Sequence, residues 1–271
     1  MAKNIVIFFV CCGFFFTAIP IISAQTAVDY SDFTQWQNIR GDHFIVYYTQ
    51  NGVSAKEVLH KAETCYSKVA SDLGYARYSN FWQWENRVNI TIYPTKQEYT
   101  KETGEPEWTE GIAIYNEKKI VTYEWSQHFL ESLLPHEITH LIFRDFVGFK
   151  GQIPLWLDEG IAQWEEPKKR EVSKLYAREV LNKLQMFPFV QLTAINSLAD
   201  KDVETVNAFY MQSLSAVDFL IATYGTLSFA DFCRELRDGK SLNDALKSSY
   251  SGRIRDLDHL EALWIAYVKT D

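Results

Sequence analysis

"LLPHEITHLIF", residues 133 to 143, sets two histidines four positions apart with a glutamate directly after the first. Phe129, Leu133, Leu141 and Ile142 supply apolar positions around them, and the pattern predicts a helix over 126–147. On a helix, positions i and i+4 share a face, so His136 and His140 would aim two imidazoles at one point in space. A lone histidine in such surroundings reads as a hydrogen-bonded core residue. Two at this spacing read as a grip for a metal ion, which becomes a reactive centre only with a third protein ligand, a base and an open coordination position.

The stretch "IPLWLDEGIAQW", residues 153 to 164, offers that third ligand. Glu159 follows His140 after eighteen intervening residues, in a second predicted helix over 155–165 introduced by Pro154. A short loop around 148–154 would let the two helices pack antiparallel and bring Glu159 beside the imidazoles. Two histidines and one glutamate are a recurring zinc set that keeps a fourth position for water. Glu159 could instead be a solvated glutamate at a helix start, but its neighbours Trp156, Leu157, Ile161, Ala162 and Trp164 are apolar, and an unpartnered carboxylate among them would be costly to bury. Asp158 and Gln163 are candidates to orient a ligand imidazole through its other ring N–H; a surface or cap role is the alternative for each.

Before this pair of helices the chain reads as a sheet. "HFIVYYT" (43–49) and "RVNITIY" (87–93) alternate aromatic and β-branched residues and predict strands, with a helix over 54–73 between them. "GIAIY" and "KIVTY" predict two short strands around an Asn116-Glu117 turn. After them come predicted helices over 169–185, 208–224, 226–237, 242–249 and 254–268. Strands first and helices second argue for an α+β fold: a mixed-sheet lobe over about 40–125 with a crossing helix, a helical lobe over about 126–268, and the two-histidine helix at their junction.

At 47% hydrophobic and 15% aromatic, the 271-residue chain can bury a substantial core. Residues 1–24, with Lys3 followed by an apolar run from Ile5 to Ile22 and the small pair Ser23-Ala24, read as a secretory signal peptide cut after Ala24, leaving a domain over 25–271. An uncleaved anchor is the rival reading, and would be the chain's one membrane contact. Cys11 and Cys12 sit too early for lipid attachment. Without Lys3 the remainder carries 26 Lys+Arg against 35 Asp+Glu, a formal −9. That acidic balance argues against nucleic acid as a partner. Cys65 and Cys233 remain, either as a disulfide or as two separate buried thiols.

The pattern HEITH, eighteen residues, then Glu within "WLDEGIAQW" resembles the gluzincin metallopeptidases, and most of all their small peptidase-MA-like domains. The resemblance runs over roughly 40–268 and is strongest over 133–165. It implies a thermolysin-like fold, one zinc per chain held by His136, His140 and Glu159, Glu137 as general base toward a metal-activated water, and a peptide or protein substrate. Zinc chemistry agrees: it lowers the pKa of bound water toward about 7, where a neighbouring carboxylate can take the proton. "AFYMQSLSAVDFLIATYG" (208–225) resembles the family's helix that opens on a tyrosine, which makes Tyr210 the candidate donor to the oxyanion; a core tyrosine is the alternative reading. In related enzymes an edge strand near 110–119 pairs with the substrate main chain. Where aminopeptidases of the group carry Gly-x-Met-Glu-Asn, this chain has Gly-Ile-Ala-Ile-Tyr, which counts against that specificity without choosing between end-cutting and internal cleavage. Two other readings keep the same scaffold: a zinc-containing peptide-binding or assembly module without turnover, and a hydrolase of non-peptide bonds.

Overall fold

The computed structural model describes residues 36–49, 52–74, 82–105, 109–123, 129–148, 153–182 and 186–270. The signal-segment reading of residues 1–24 lies outside the described residues. No helix among the described residues is long and apolar enough to cross a membrane.

Among the described residues, five strands form one mixed sheet: β1 (Gln37–Arg40), β2 (Phe44–Tyr48), β3 (Val88–Tyr93), β4 (Gly111–Ile114) and β5 (Lys119–Tyr123), in the spatial order β1-β2-β3-β5-β4. The pairs β2/β3 and β3/β5 are parallel, and the edge pairs β1/β2 and β5/β4 are antiparallel. Each parallel pair requires a crossover. The first is α1 (Gly52–Asp72), whose buried Val58, Ala62, Cys65, Tyr66 and Val69 recur at helical spacing and lie in the core with Phe44 and Val46 of β2. The second passes through α2 (Lys96–Thr103), capped by the Thr95 hydroxyl at its start and by left-handed Gly104 (φ 72°) at its end. The predicted turn at Asn116-Glu117 is there: a 3₁₀ turn over Tyr115–Glu117 joins β4 to β5, with Lys118 left-handed at φ 48°.

The helical lobe begins with a π-helical turn over Phe129–Leu133 that runs into α3 (Leu134–Val147). It continues through α4 (Leu155–Trp164), α5 (Pro167–Glu171), α6 (Ser173–Asn182), α7 (Phe189–Ala194), α8 (Val203–Tyr224), α9 (Thr226–Arg237), α10 (Leu242–Ser249) and α11 (Leu257–Lys269). The α+β reading therefore holds, with differences of detail. The helix predicted over 169–185 is broken at Val172, where the chain leaves helical geometry between α5 and α6. Strand β1 and helices α2 and α7 were not predicted. The sequence left the two cysteines open between pairing and separate thiols; Cys65 on α1 and Cys233 on α9 are both free and buried. Of the aromatic residues near the start of β3, Trp82 packs in the core against Phe44 and Tyr66, whereas Trp84 is 73% exposed.

One contact sets the helical lobe's spacing. A Cβ on Gly160 of α4 would lie 2.5 Å from the Ser213 carbonyl oxygen and 2.7 Å from Val217 Cγ2, both on α8. Only glycine lets the two helix backbones approach this closely. Helix α8 is buried along most of its length, from Val206 to Ile221, as expected of a helix at the centre of a lobe.

Candidate metal centre

Every residue of α3 from Leu134 to Phe143 is buried, as is every residue of α4 from Trp156 to Trp164. Helices enclosed on all sides are ordinarily apolar. These two carry His136, Glu137, His140, Asp158, Glu159 and Gln163 into the interior, and polar groups there need partners.

His136, His140 and Glu159 come together as the sequence predicts. The Nε2 atoms of the two histidines are 3.1 Å apart, and each is 3.7 Å from Glu159 Oε2. A tetrahedral zinc with bonds near 2.0–2.1 Å separates its ligand atoms by about 3.3 Å, so the triangle has the size of one face of such a site. Glu159 Oε2 is buried and accepts no hydrogen bond. An orphaned carboxylate oxygen facing two imidazole nitrogens fits a cation between them, and these three residues could hold a metal ion.

The outer nitrogens of both rings face carboxylates. His140 Nδ1 lies 2.9 Å from Asp158 Oδ1, and His136 Nδ1 lies 2.9 Å from Glu166 Oε1. With Nδ1–H donating outward, Nε2 keeps its lone pair for the inward side. Each carboxylate is held in turn. Arg144 donates to Asp158 Oδ2 through Nε at 3.1 Å and Nη2 at 2.6 Å. Lys169 Nζ reaches Glu166 Oε1 at 2.7 Å, and the Ser132 hydroxyl, from the π-helical turn, donates to Glu166 Oε2. Burial alone would raise the Asp158 carboxyl, but His140 and Arg144 outweigh it and hold the group at about 2. Glu166 is likewise held at about 2, by Lys169 and His136 against burial. Burial works against a charge on His140, yet Asp158 and Glu159 lift its pKa well above the ordinary value. Binding of a metal ion by these three residues would therefore release a proton from His140.

Asp158 thus takes the orienting place considered for it, and Gln163 does not. The Gln163 amide donates to the Tyr210 carbonyl at 3.1 Å and to the Glu159 carbonyl at 3.3 Å, tying α4 to α8. Glu166, which does face an imidazole, was missed; it lies two residues past the end of α4 in extended geometry, outside the predicted helix, where helical spacing gives no signal. Glu137 is 1% exposed on α3 and Tyr210 is 3% exposed on α8.

Beside Glu166, the neighbouring Glu165 is in the opposite state. Its side chain is fully inside, its Oε2 accepts from Lys68 of α1, and Lys68 also reaches Asp72 at 2.7 Å. Burial pushes the Glu165 carboxyl up to about 7 despite Lys68. A carboxyl whose folded pKa exceeds its unfolded value favours the fold below about 4.5 and loses that contribution as pH rises through about 7. Lys68 is itself raised, and so titrates outside this window. Glu165→Gln should therefore gain on the wild type between pH 5 and pH 8, by on the order of 3 kcal/mol. Urea unfolding of both metal-free proteins at the two pH values measures it. An equal stability difference at both would refute the raised carboxyl.

Residues 72–270 match the family model described as the peptidase MA superfamily. A search of curated proteins finds no match. With the match spanning most of the chain and the two-histidine, one-glutamate cluster inside it, this chain belongs to the peptidase MA superfamily.

Proposed function

We propose that the chain is an exported zinc peptidase in which Glu137 is the general base and Tyr210 assists the transition state. Family membership makes it a zinc-metallopeptidase-type domain. The observation that carries the finer reading is the buried triangle of His136, His140 and Glu159 with Glu137 on the same helix as the histidines. Zinc bound by those three residues would supply a Lewis acid and bring the pKa of water down toward about 7. Glu137 then accepts a proton on its carboxylate and returns it to the leaving amine nitrogen. Asp158 and Glu166 keep the two rings turned inward. Strand β4, at one end of the sheet order, supports recognition of an extended peptide by strand addition.

Incubating the zinc-loaded protein with a diverse peptide library and mapping the cuts tests this reading. Cleavage that stops on zinc removal and returns on zinc addition is the expected result. Zinc uptake with no cut in any peptide would defeat the peptidase and favour the binding module. Export rests on the reading of residues 1–24, and N-terminal sequencing of protein released by an expressing cell should begin at Gln25. Material starting at Met1 would reject the cleavage.

Tyr210→Phe keeps the ring and removes only the hydroxyl. If that hydroxyl donates to the oxyanion, kcat should fall on the order of a hundredfold with KM little changed and zinc content unaltered. Full kcat in the variant would return Tyr210 to a packing role.

A further inference from the structure

Tyr115 and Arg144 form a unit that reaches from the sheet edge to the metal centre. Tyr115 opens the turn after β4, and Arg144 lies one helical turn beyond His140 on α3. The Arg144 guanidinium carbon sits 4.0 Å from the centre of the Tyr115 ring, in cation–π contact. The same ring meets His140 edge-on, with centroids 6.3 Å apart and planes at 89°. One aromatic ring thus contacts two residues a full turn apart on the metal helix. From its seat on that ring, Arg144 places two N–H groups on Asp158 Oδ2, and Asp158 Oδ1 faces His140 Nδ1.

We infer that Tyr115 and Arg144 are positioning residues for His140, so that the β4–β5 turn holds one ligand of the metal centre in its orientation. This rests on the zinc reading above. The physical case is one of geometry. A carboxylate orients an imidazole only if its own oxygens are fixed, and a flat, two-pronged guanidinium lying on a ring fixes them more narrowly than a point charge on a flexible stem. The second histidine is held by different means, because Glu166 takes the Lys169 ammonium, such a point charge, on Oε1 and the Ser132 hydroxyl on Oε2. His140 is fully buried, and so it tolerates misorientation less than a ring with room to adjust.

Two variants leave the net charge of the site unchanged, which removes any general electrostatic effect on a cation. Tyr115→Leu takes away the ring, and Arg144→Lys takes away the fork. Zinc affinity, measured by chelator competition, should fall about three- to tenfold in each, less than the loss of a partner in direct contact with a ligand. The visible bands of the cobalt-substituted protein should shift in both, whereas Tyr115→Phe should keep wild-type affinity and bands. Because the two residues act as a unit, the double variant should lose little more than either single one. Wild-type affinity and unshifted bands in Arg144→Lys would overturn the inference even if Tyr115→Leu fails to fold, and so would additive losses in the double variant. Failure of the wild-type protein to take up zinc or cobalt would instead overturn the zinc reading beneath it.

Discussion

Glu137→Gln should leave zinc bound and remove nearly all turnover. The amide has almost the shape of the carboxylate, so the buried position on α3 stays filled and the neighbouring His136 and His140 keep their places. What it lacks is a basic oxygen able to accept a proton and hand it on. General base catalysis is typically worth about 10²–10⁴, and a residue that serves both attack and departure belongs in the upper half of that range. A loss of roughly 10³ in kcat corresponds to about 4 kcal/mol of barrier. Side-by-side peptide kinetics and metal analysis of the two proteins decide it. A variant that cleaves at the wild-type rate would strip Glu137 of the role, and a variant that has lost its zinc would show that the residue holds the site together.

The second large effect concerns the ligands. His136→Ala, His140→Ala and Glu159→Ala each remove one of three protein donors, leaving a site that two residues must complete with water. Structural zinc sites in small domains bind with about 10–16 kcal/mol, so losing a donor should cost several kcal/mol and weaken zinc on the order of a thousandfold. His140→Ala carries a further penalty, because Asp158 stays buried with an arginine on one oxygen and a gap opposite the other. Chelator competition gives the affinities. Zinc retained as tightly by all three variants as by the wild type would mean that the metal sits elsewhere.

How much of this was legible in the sequence depended on whether the information was local. The metal triad was legible because two short motifs carry it at helical spacing. Helices α9 and α10 were predicted with the bounds they have, since apolar periodicity, a glycine before the first and a serine cap before the second all agree. Strand β1, the polar "QNIR", has no strand pattern of its own and exists through its antiparallel pairing with β2. Helix α7 has only six residues, and its first N–H is satisfied by Glu261, seventy-two positions away. The break before α6 likewise answers to a distant residue: the Ser173 hydroxyl donates to Asp218 on α8. The role of Gln163 stayed open in the sequence because spacing places it near the site but cannot say which way its amide turns, and the carbonyl of Tyr210 claims it.

The close approach at Gly160 gives the site an order of assembly. The residue next to Glu159 has no side chain because the main chain of α8 occupies the space, and α8 begins more than forty residues later. A chain that ends before Val203 holds both histidines and Glu159 yet lacks the wall against which α4 is seated. The metal centre is therefore finished late, by a helix that supplies none of its three ligands, and a partly made chain carries the motif before it carries the site.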